Sequence, residues 1–510
     1  MANFLSKRLA KVAVSLWLLS GCDDVTITIP PSSEQKTEAK TALKPVELQR
    51  VLYGTTWQFD PHFVQNTAQG ALLRDLLVGL VAFNAKGETV PAIADEWFSE
   101  DGKKWQFILK ETARWSNDEP VTAADFMASW QRLSNPQYRS PLAHYLIYMG
   151  VENAKAVIAG EKPVSDLGVQ ALNEHTLQIT LQQPNYQLPR MLAHLALLPT
   201  YQGLKPEAEQ VFISNGSYKI AGQTKDKINL QAIEMDTPFQ QVVYRLAMNG
   251  TTLQNTDIVE NPTENHLPNS VKLPRLCTYF YEFNFADPIM RKREVRQAIR
   301  AMVSSAEISQ DLGMPNHLVL PKTMLSEQER QLSTASSEQL LHQLGIEAGQ
   351  PIKISLTYDN QGQHAVIAER IGRTLGQSDL FRVSLQPVDW QQLLEQREQK
   401  AFQLIRSGWC ADYDDPLLFL NQFHSASPDN KSNYKNEIVD KQLEQLHKEA
   451  LTKEQRDQLI LNIVYQLEYD VAILPLFQYQ RKMVIDPSIR GVNPLNASEV
   501  IYSKDLYRQE

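Results

Sequence analysis

Two hydrophobic periods alternate along this chain. A two-residue alternation recurs around Leu52, at Trp105, Phe107 and Leu109 after an Asp101-Gly102 turn, and at Leu177, Ile179 and Leu181 before Pro184. It predicts strands with one buried face. From Cys277 to Asn284 nearly every residue type suits a sheet, which predicts a central strand. Leu404 and Ile405 read as the end of a further buried strand, and Leu474 to Tyr479 as a late one. The helical period runs from Ala71 to Val81, then marks Val295, Ile299, Met302 and Val303, and later Leu459, Ile460, Ile463, Val464 and Leu467. Thr122 with Asp125, and Thr452 with Gln455, form capping boxes that open helices, the first running through Trp130. Strands interspersed with helices predict an α/β protein with mixed sheets. No internal repeat is evident.

Composition adds compartment and size. With 510 residues, 43% of them hydrophobic, the chain fills more than one core and is expected to divide into lobes. Lys7, Arg8 and Lys11 precede an apolar stretch from Val12 to Leu19 that is too short to span a bilayer, so residues 1–21 are expected to be a cleaved export signal. Leu19-Ser20-Gly21-Cys22 is similar to the bacterial lipobox, which implies that Cys22 is lipidated and becomes the first mature residue. Asp23 is similar to the signal that retains lipoproteins in the inner membrane of enteric bacteria. Residues 22–45 are rich in Thr, Ser, Pro, Lys and Glu and read as a flexible tether. No later segment reads as a membrane span. Loss of the three signal cations takes the formal charge from −9 to −12, which argues against a nucleic-acid partner.

The run from Arg406 to Pro416 packs a cation, an aromatic, a thiol and three carboxylates (Asp412, Asp414 and Asp415) into one short stretch. Gly408 lets another backbone, from the chain or from a ligand, come close. Taken locally, the run fits a strand leading into a solvated acidic turn as well as a site for a charged, amine-bearing ligand.

Within it, Gly408-Trp409-Cys410-Ala411-Asp412-Tyr413 resembles the signature of periplasmic oligopeptide-binding proteins, in the family of peptide and nickel solute-binding proteins that serve ABC importers. Family-like stretches extend from about Leu52 to the C-terminus; they include Asp60-Pro61-His62, the string Trp115 to Phe126, Asn215-Gly216-Ser217-Tyr218, and a returning strand at Leu474 to Tyr479. The resemblance implies a two-lobed periplasmic-binding-protein clamshell with an extra small domain. Lobe I would comprise 46–77, 202–276 and 481–510, domain II 78–201 and lobe III 277–480, with two chain crossings as the hinge. It also implies capture of short peptides by their backbone and charged ends, for delivery to an inner-membrane ABC permease. The implied protein is a non-enzymatic monomer without cofactor or metal, held to the membrane through its lipid alone.

Residue by residue, Asp412 matches the partner of the peptide α-amine, and Arg406, Arg397 and His364 match positions that meet the ligand carboxylate. Trp390, Trp409 and Tyr479 match residues lining side-chain pockets. The backbone of Gly408 and of the Cys277 to Tyr281 strand, Thr278 and Phe280 included, is expected to pair with the ligand main chain. Cys277 and Cys410 match cysteines that are paired in the oligopeptide binders; read from the residues, two buried free thiols are the alternative, and neither has a second Cys or a His at metal-ligand spacing.

Several positions depart from the family pattern. Asp118 stands where a Gly is usual, Leu142 and Phe280 replace Tyr, Gln65 replaces a Glu, and the stretch from Tyr218 to about Asp257 looks shortened. No Lys matching the family's stands between Ser305 and Leu318. Ligand length and sequence preference therefore do not transfer. The same fold dedicated to a murein-derived peptide or to haem, or a peptide-sensing lipoprotein without a permease, stays open beside general oligopeptide capture. A hydrolase using the three aspartates has no nucleophile elbow, phosphate loop or His-Glu metal motif behind it.

Overall fold

A computed structural model describes residues 47–53, 55–206, 210–248, 255–260, 262, 268–324, 336–346, 349–411, 413–448, 451–496 and 498–509. The export signal, Cys22, the tether and Asp412 lie outside the described residues.

The fold is α/β and two-lobed. One 11-stranded mixed sheet runs Phe381–Val388, Ile352–Asp359, Leu404–Cys410, Ser270–Phe283, Ile473–Ile485, Ile258–Glu260, Glu47–Tyr53, Gln241–Ala247, Lys227–Ala232 and Tyr218–Gln223, with Met314–Pro315 paired to Ile473–Ile485 off this path. A separate four-stranded antiparallel sheet holds Ala94–Phe98, Lys104–Leu109, Thr176–Thr180 and Val169–Asn173.

The antiparallel strands Ser270–Phe283 and Ile473–Ile485 run through more than one hydrophobic core. Leu273 and Met483 belong to one hydrophobic core, whereas Tyr279, Phe283, Leu474 and Phe477 belong to another and Phe280 and Ile473 to a third. Their register breaks between Pro274 and Thr278, where the buried Gln478 amide donates to the Arg275 carbonyl at 2.8 Å. The first core takes in residues expected for lobe I (Leu72, Tyr244) and for domain II (Phe107, Trp130) alike. Apolar side chains of 78–201 thus pack in one core with those of the neighbouring segments.

The predicted helix starts are present. Thr122 with Asp125 caps Ala123–Ser134, which runs one turn beyond Trp130, and Thr452 with Gln455 caps Lys453–Asp470. Asp118, standing where the family has Gly, adopts φ 68°, a region that favours glycine. No helix among the described residues is long and apolar enough to cross a membrane.

Asp60 accepts two hydrogen bonds from Arg132, at 2.7 and 2.9 Å, and His62 beside it is buried with neither ring nitrogen partnered among the described residues. Burial first, and then the Arg132 charge, pull the His62 imidazole down to about 3. Its contribution to stability is complete above the ordinary histidine range and is lost as pH falls below about 6.5, by roughly 1.4 kcal/mol per pH unit. Burial raises Asp60, but the Arg132 bonds and charge together with its interactions with His62 leave it lowered, so its loss comes only below the ordinary carboxylate range. Denaturant midpoints at pH 7 and 5 should therefore differ, and His62→Phe should shrink the difference. An unchanged difference in the variant would exclude His62 as the titrating group.

Candidate ligand-binding site

The site is built where Leu404–Cys410 meets Ser270–Phe283. These strands pair from Cys277 opposite Cys410 to Phe283 opposite Leu404, and a disulfide joins the two cysteines. Leu404 and Ile405 begin this strand instead of ending it, so Arg406 to Cys410 are strand residues rather than loop. The apolar pair is held at one end by Leu356 and Thr357 of a parallel neighbour. Beyond Ile405 that neighbour pairs no further, and the edge from Arg406 to Cys410 has no strand against it among the described residues.

Alternation sorts the side chains of this strand. Arg406 and Gly408 stand opposite Tyr281 and Tyr279, while Ser407 and Trp409 stand opposite Phe280 and Thr278. Arg406 lies 5.2 Å from the Tyr279 ring centroid and 5.9 Å from that of Trp390, and its Nη1 is 3.6 Å from Asp359 Oδ2. Asp359 ends the strand Ile352–Asp359 and is fully buried. Its Oδ1 accepts from the Gln361 N–H at 3.1 Å and lies 2.9 Å from His364 Nδ1, at the first residue of the helix His364–Gly376.

Burial and the Arg406 charge hold the His364 imidazole below its usual range, against the raising effect of Asp359. At neutral pH it is neutral, with Nδ1–H donated to Asp359 and Nε2 left as an acceptor. A ligand carboxylate can bond to that nitrogen only once the ring is protonated. Arg397, near the end of the capped helix Trp390–Glu398, donates to the buried Glu282 at 2.5 Å. Two of the expected cations thus face buried carboxylates, Asp359 and Glu282, that hold them in place. Glu282, the one charge in the run from Leu276 to Phe283, was the visible signal; Asp359 gave a weaker one, an acid at a strand end before a Gly362 turn.

Trp390 is 42% exposed and Tyr479 sits 6.1 Å from Tyr279. Trp409 is half-buried on the third core, and Phe280 is buried within it. For Thr278 and Phe280 the expected main-chain pairing with a ligand is corrected: the flanking strands Leu404–Cys410 and Ile473–Ile485 already occupy both edges there. Gly408 answers to the chain's own backbone, since a Cβ at this position would meet the Thr278 carbonyl at 3.0 Å. Asp415 is fully buried, accepting from the Leu417 N–H at 2.9 Å and from Arg456 at 2.6 Å, whereas Asp414 is exposed. Gln65 and Leu142 line a cavity of about 620 Å3 on the first-core side of the crossing strands.

The profile of the bacterial extracellular solute-binding proteins, family 5 (middle), matches residues 88–431. The chain belongs to this family. Over 99% of both chains it is 30% identical to the periplasmic oligopeptide-binding protein OppA of Salmonella typhimurium. Among solved family 5 structures, the unliganded open form of the periplasmic murein tripeptide-binding protein MppA superposes with a TM-score of 0.84 at 27% identity, covering 91% of this chain and 98% of that one. A second structure, of the Escherichia coli murein tripeptide-binding protein MppA, gives 0.62 at the same identity, covering 91% and 99%. For a family 5 chain the open strand edge and the fixed guanidinium beside it form one surface, in which main-chain donors and acceptors stand next to a permanent positive charge.

Proposed function

We propose that this protein captures short peptides in the periplasm and passes them to an inner-membrane ABC permease, while tethered by a lipid on Cys22. The observation that carries the reading is the unpaired edge from Arg406 to Cys410 next to the Arg406 guanidinium. A peptide adds to that edge as a strand, so its shared main chain is gripped whatever its sequence. Arg406 takes the terminal carboxylate by a charge-assisted, two-pronged bond. Asp412 takes the α-amine, and Trp390, Trp409 and Tyr479 border roomy pockets. The likeness to an open, unliganded relative fits a state that closes when ligand arrives. The site works without catalysis, cofactor or metal, in a monomer.

The same likeness supports a second reading, in which the ligand is a murein-derived tripeptide. Mass spectrometry of the small molecules released when the purified mature protein is denatured separates the two. A ladder of short peptides is expected for the first and one tripeptide mass for the second. Release of a non-peptide molecule, with no affinity for added peptides, would overturn both.

A further inference from the structure

We propose that the cavity on the first-core side of the crossing strands is an anion subsite that receives a carboxylate borne by a ligand side chain. This rests on the peptide reading and names a substrate class within it. The cavity, about 620 Å3, is lined by Arg50, Arg74, Arg275, Arg481, Glu260 and Glu499, with the neutral Gln65 and Leu142 at its side.

The ion pairs there leave positive charge over. Arg50 donates to Glu260 at 2.6 Å and lies 3.7 Å from Asp75, and Arg275 reaches Glu499 at 2.6 Å. Among the described residues Arg74 donates to the neutral Ala193 carbonyl, at 3.2 and 3.3 Å, and to no carboxylate. Arg481 is 3.6 Å from Glu260, a carboxylate already taken by Arg50. Among the described residues, four guanidinium groups therefore meet three carboxylates. The side chain of Arg481 is 5% exposed, and its buried Nε and Nη2 have no hydrogen-bond partner among the described residues. Buried charged donors of this kind are strongly favoured to find an acceptor, and a carboxylate matches the guanidinium fork. Glu260 and Glu499 each keep one buried oxygen without a hydrogen-bond partner. Such oxygens disfavour a bare inorganic anion and suit a carboxylate arriving with amide N–H groups, as a peptide side chain does.

One strand, Ile473–Ile485, runs from the site described above into the wall of this cavity. Tyr479 and Arg481 lie two residues apart on one face of Ile473–Ile485, and the Tyr479 hydroxyl feels the charges of both Arg406 and Arg275. A ligand held along the Arg406 edge thus has Arg275 and Arg481 within the same wall.

The test is calorimetric titration of short peptides that differ only by Glu or Gln at each position in turn, on the wild-type protein, Arg481→Gln and Arg275→Gln. At one position Glu should bind about tenfold or more tighter than Gln, and the ratio should fall toward one in Arg481→Gln with the Gln peptide unaffected. Arg275, with a side chain 41% exposed, supplies the variant that folds if Arg481→Gln does not, and its ratio should fall as well. Equal affinities for Glu and Gln at every position, or a preference that survives both substitutions, would overturn the subsite and leave peptide capture standing. If no peptide of the series binds the folded wild-type protein, the peptide reading fails and the subsite falls with it.

Discussion

Arg406→Ala is expected to weaken binding of an unmodified short peptide by about 2 kcal/mol or more, on the order of thirtyfold. Two effects add. The ligand carboxylate loses its guanidinium, and Asp359, fully buried, loses the Arg406 charge and is left with the neutral His364 ring as its side-chain partner among the described residues. Amidating the peptide C-terminus should weaken binding to the wild-type protein comparably and do little further in the variant, which is how a shared contact reveals itself. The variant also carries a signature in pH. Burial and the Arg406 charge hold the His364 imidazole down, so removing Arg406 lets that group rise toward its ordinary value. A protonated His364 can then stand in for the missing cation, and affinity in Arg406→Ala should partly recover as pH is lowered from 7.5 to about 6. Less than threefold loss, with amidation equally costly in both proteins, would remove Arg406 from the carboxylate end.

The second large effect concerns stability. Reducing the Cys277–Cys410 bond, or replacing both cysteines with serine, is expected to destabilise the protein by about 4–5 kcal/mol, because the bond closes a loop of 133 residues in the unfolded chain. The register from Thr278 opposite Trp409 to Phe283 opposite Leu404 does not depend on the bond, so the variant should still fold and bind. Denaturant midpoints with and without reductant would measure the loss. A change below 1 kcal/mol would mean that the unfolded chain is already confined there.

Much of the scaffold was legible before any coordinates. Capping boxes at Thr122 and Thr452 are local chemistry, readable within four residues, and both open helices in the structure. Asp118 shows the same on a smaller scale: a family Gly implied a left-handed backbone, and the residue adopts it at φ 68°. What escaped was pairwise and long-range. Asp359 meets Arg406, and Glu282 meets Arg397, only once segments distant in sequence are brought side by side. Thr278 and Phe280 looked free to pair with a ligand because a sequence does not show which strand edges are already taken. Arg406 to Cys410 looked like loop because Gly408 and the acids after it are turn formers; in the sheet that glycine serves close approach to Thr278.

The treatment of strand edges in this sheet bears on self-association. At its outer margin, Phe381–Val388 turns Arg382, Ser384, Gln386 and Pro387 to solvent, and a charge together with a missing N–H discourages a neighbouring molecule from adding there. The gap beside Arg406 to Cys410 is unguarded, yet at about 3.3 Å per residue it offers only some 17 Å of backbone. One end is shut by the strand Ile352–Asp359, and the strand itself ends at Cys410. A short ligand fits that notch, whereas the long margin of another folded sheet does not. A short edge of this kind gives a second sheet little backbone to pair with.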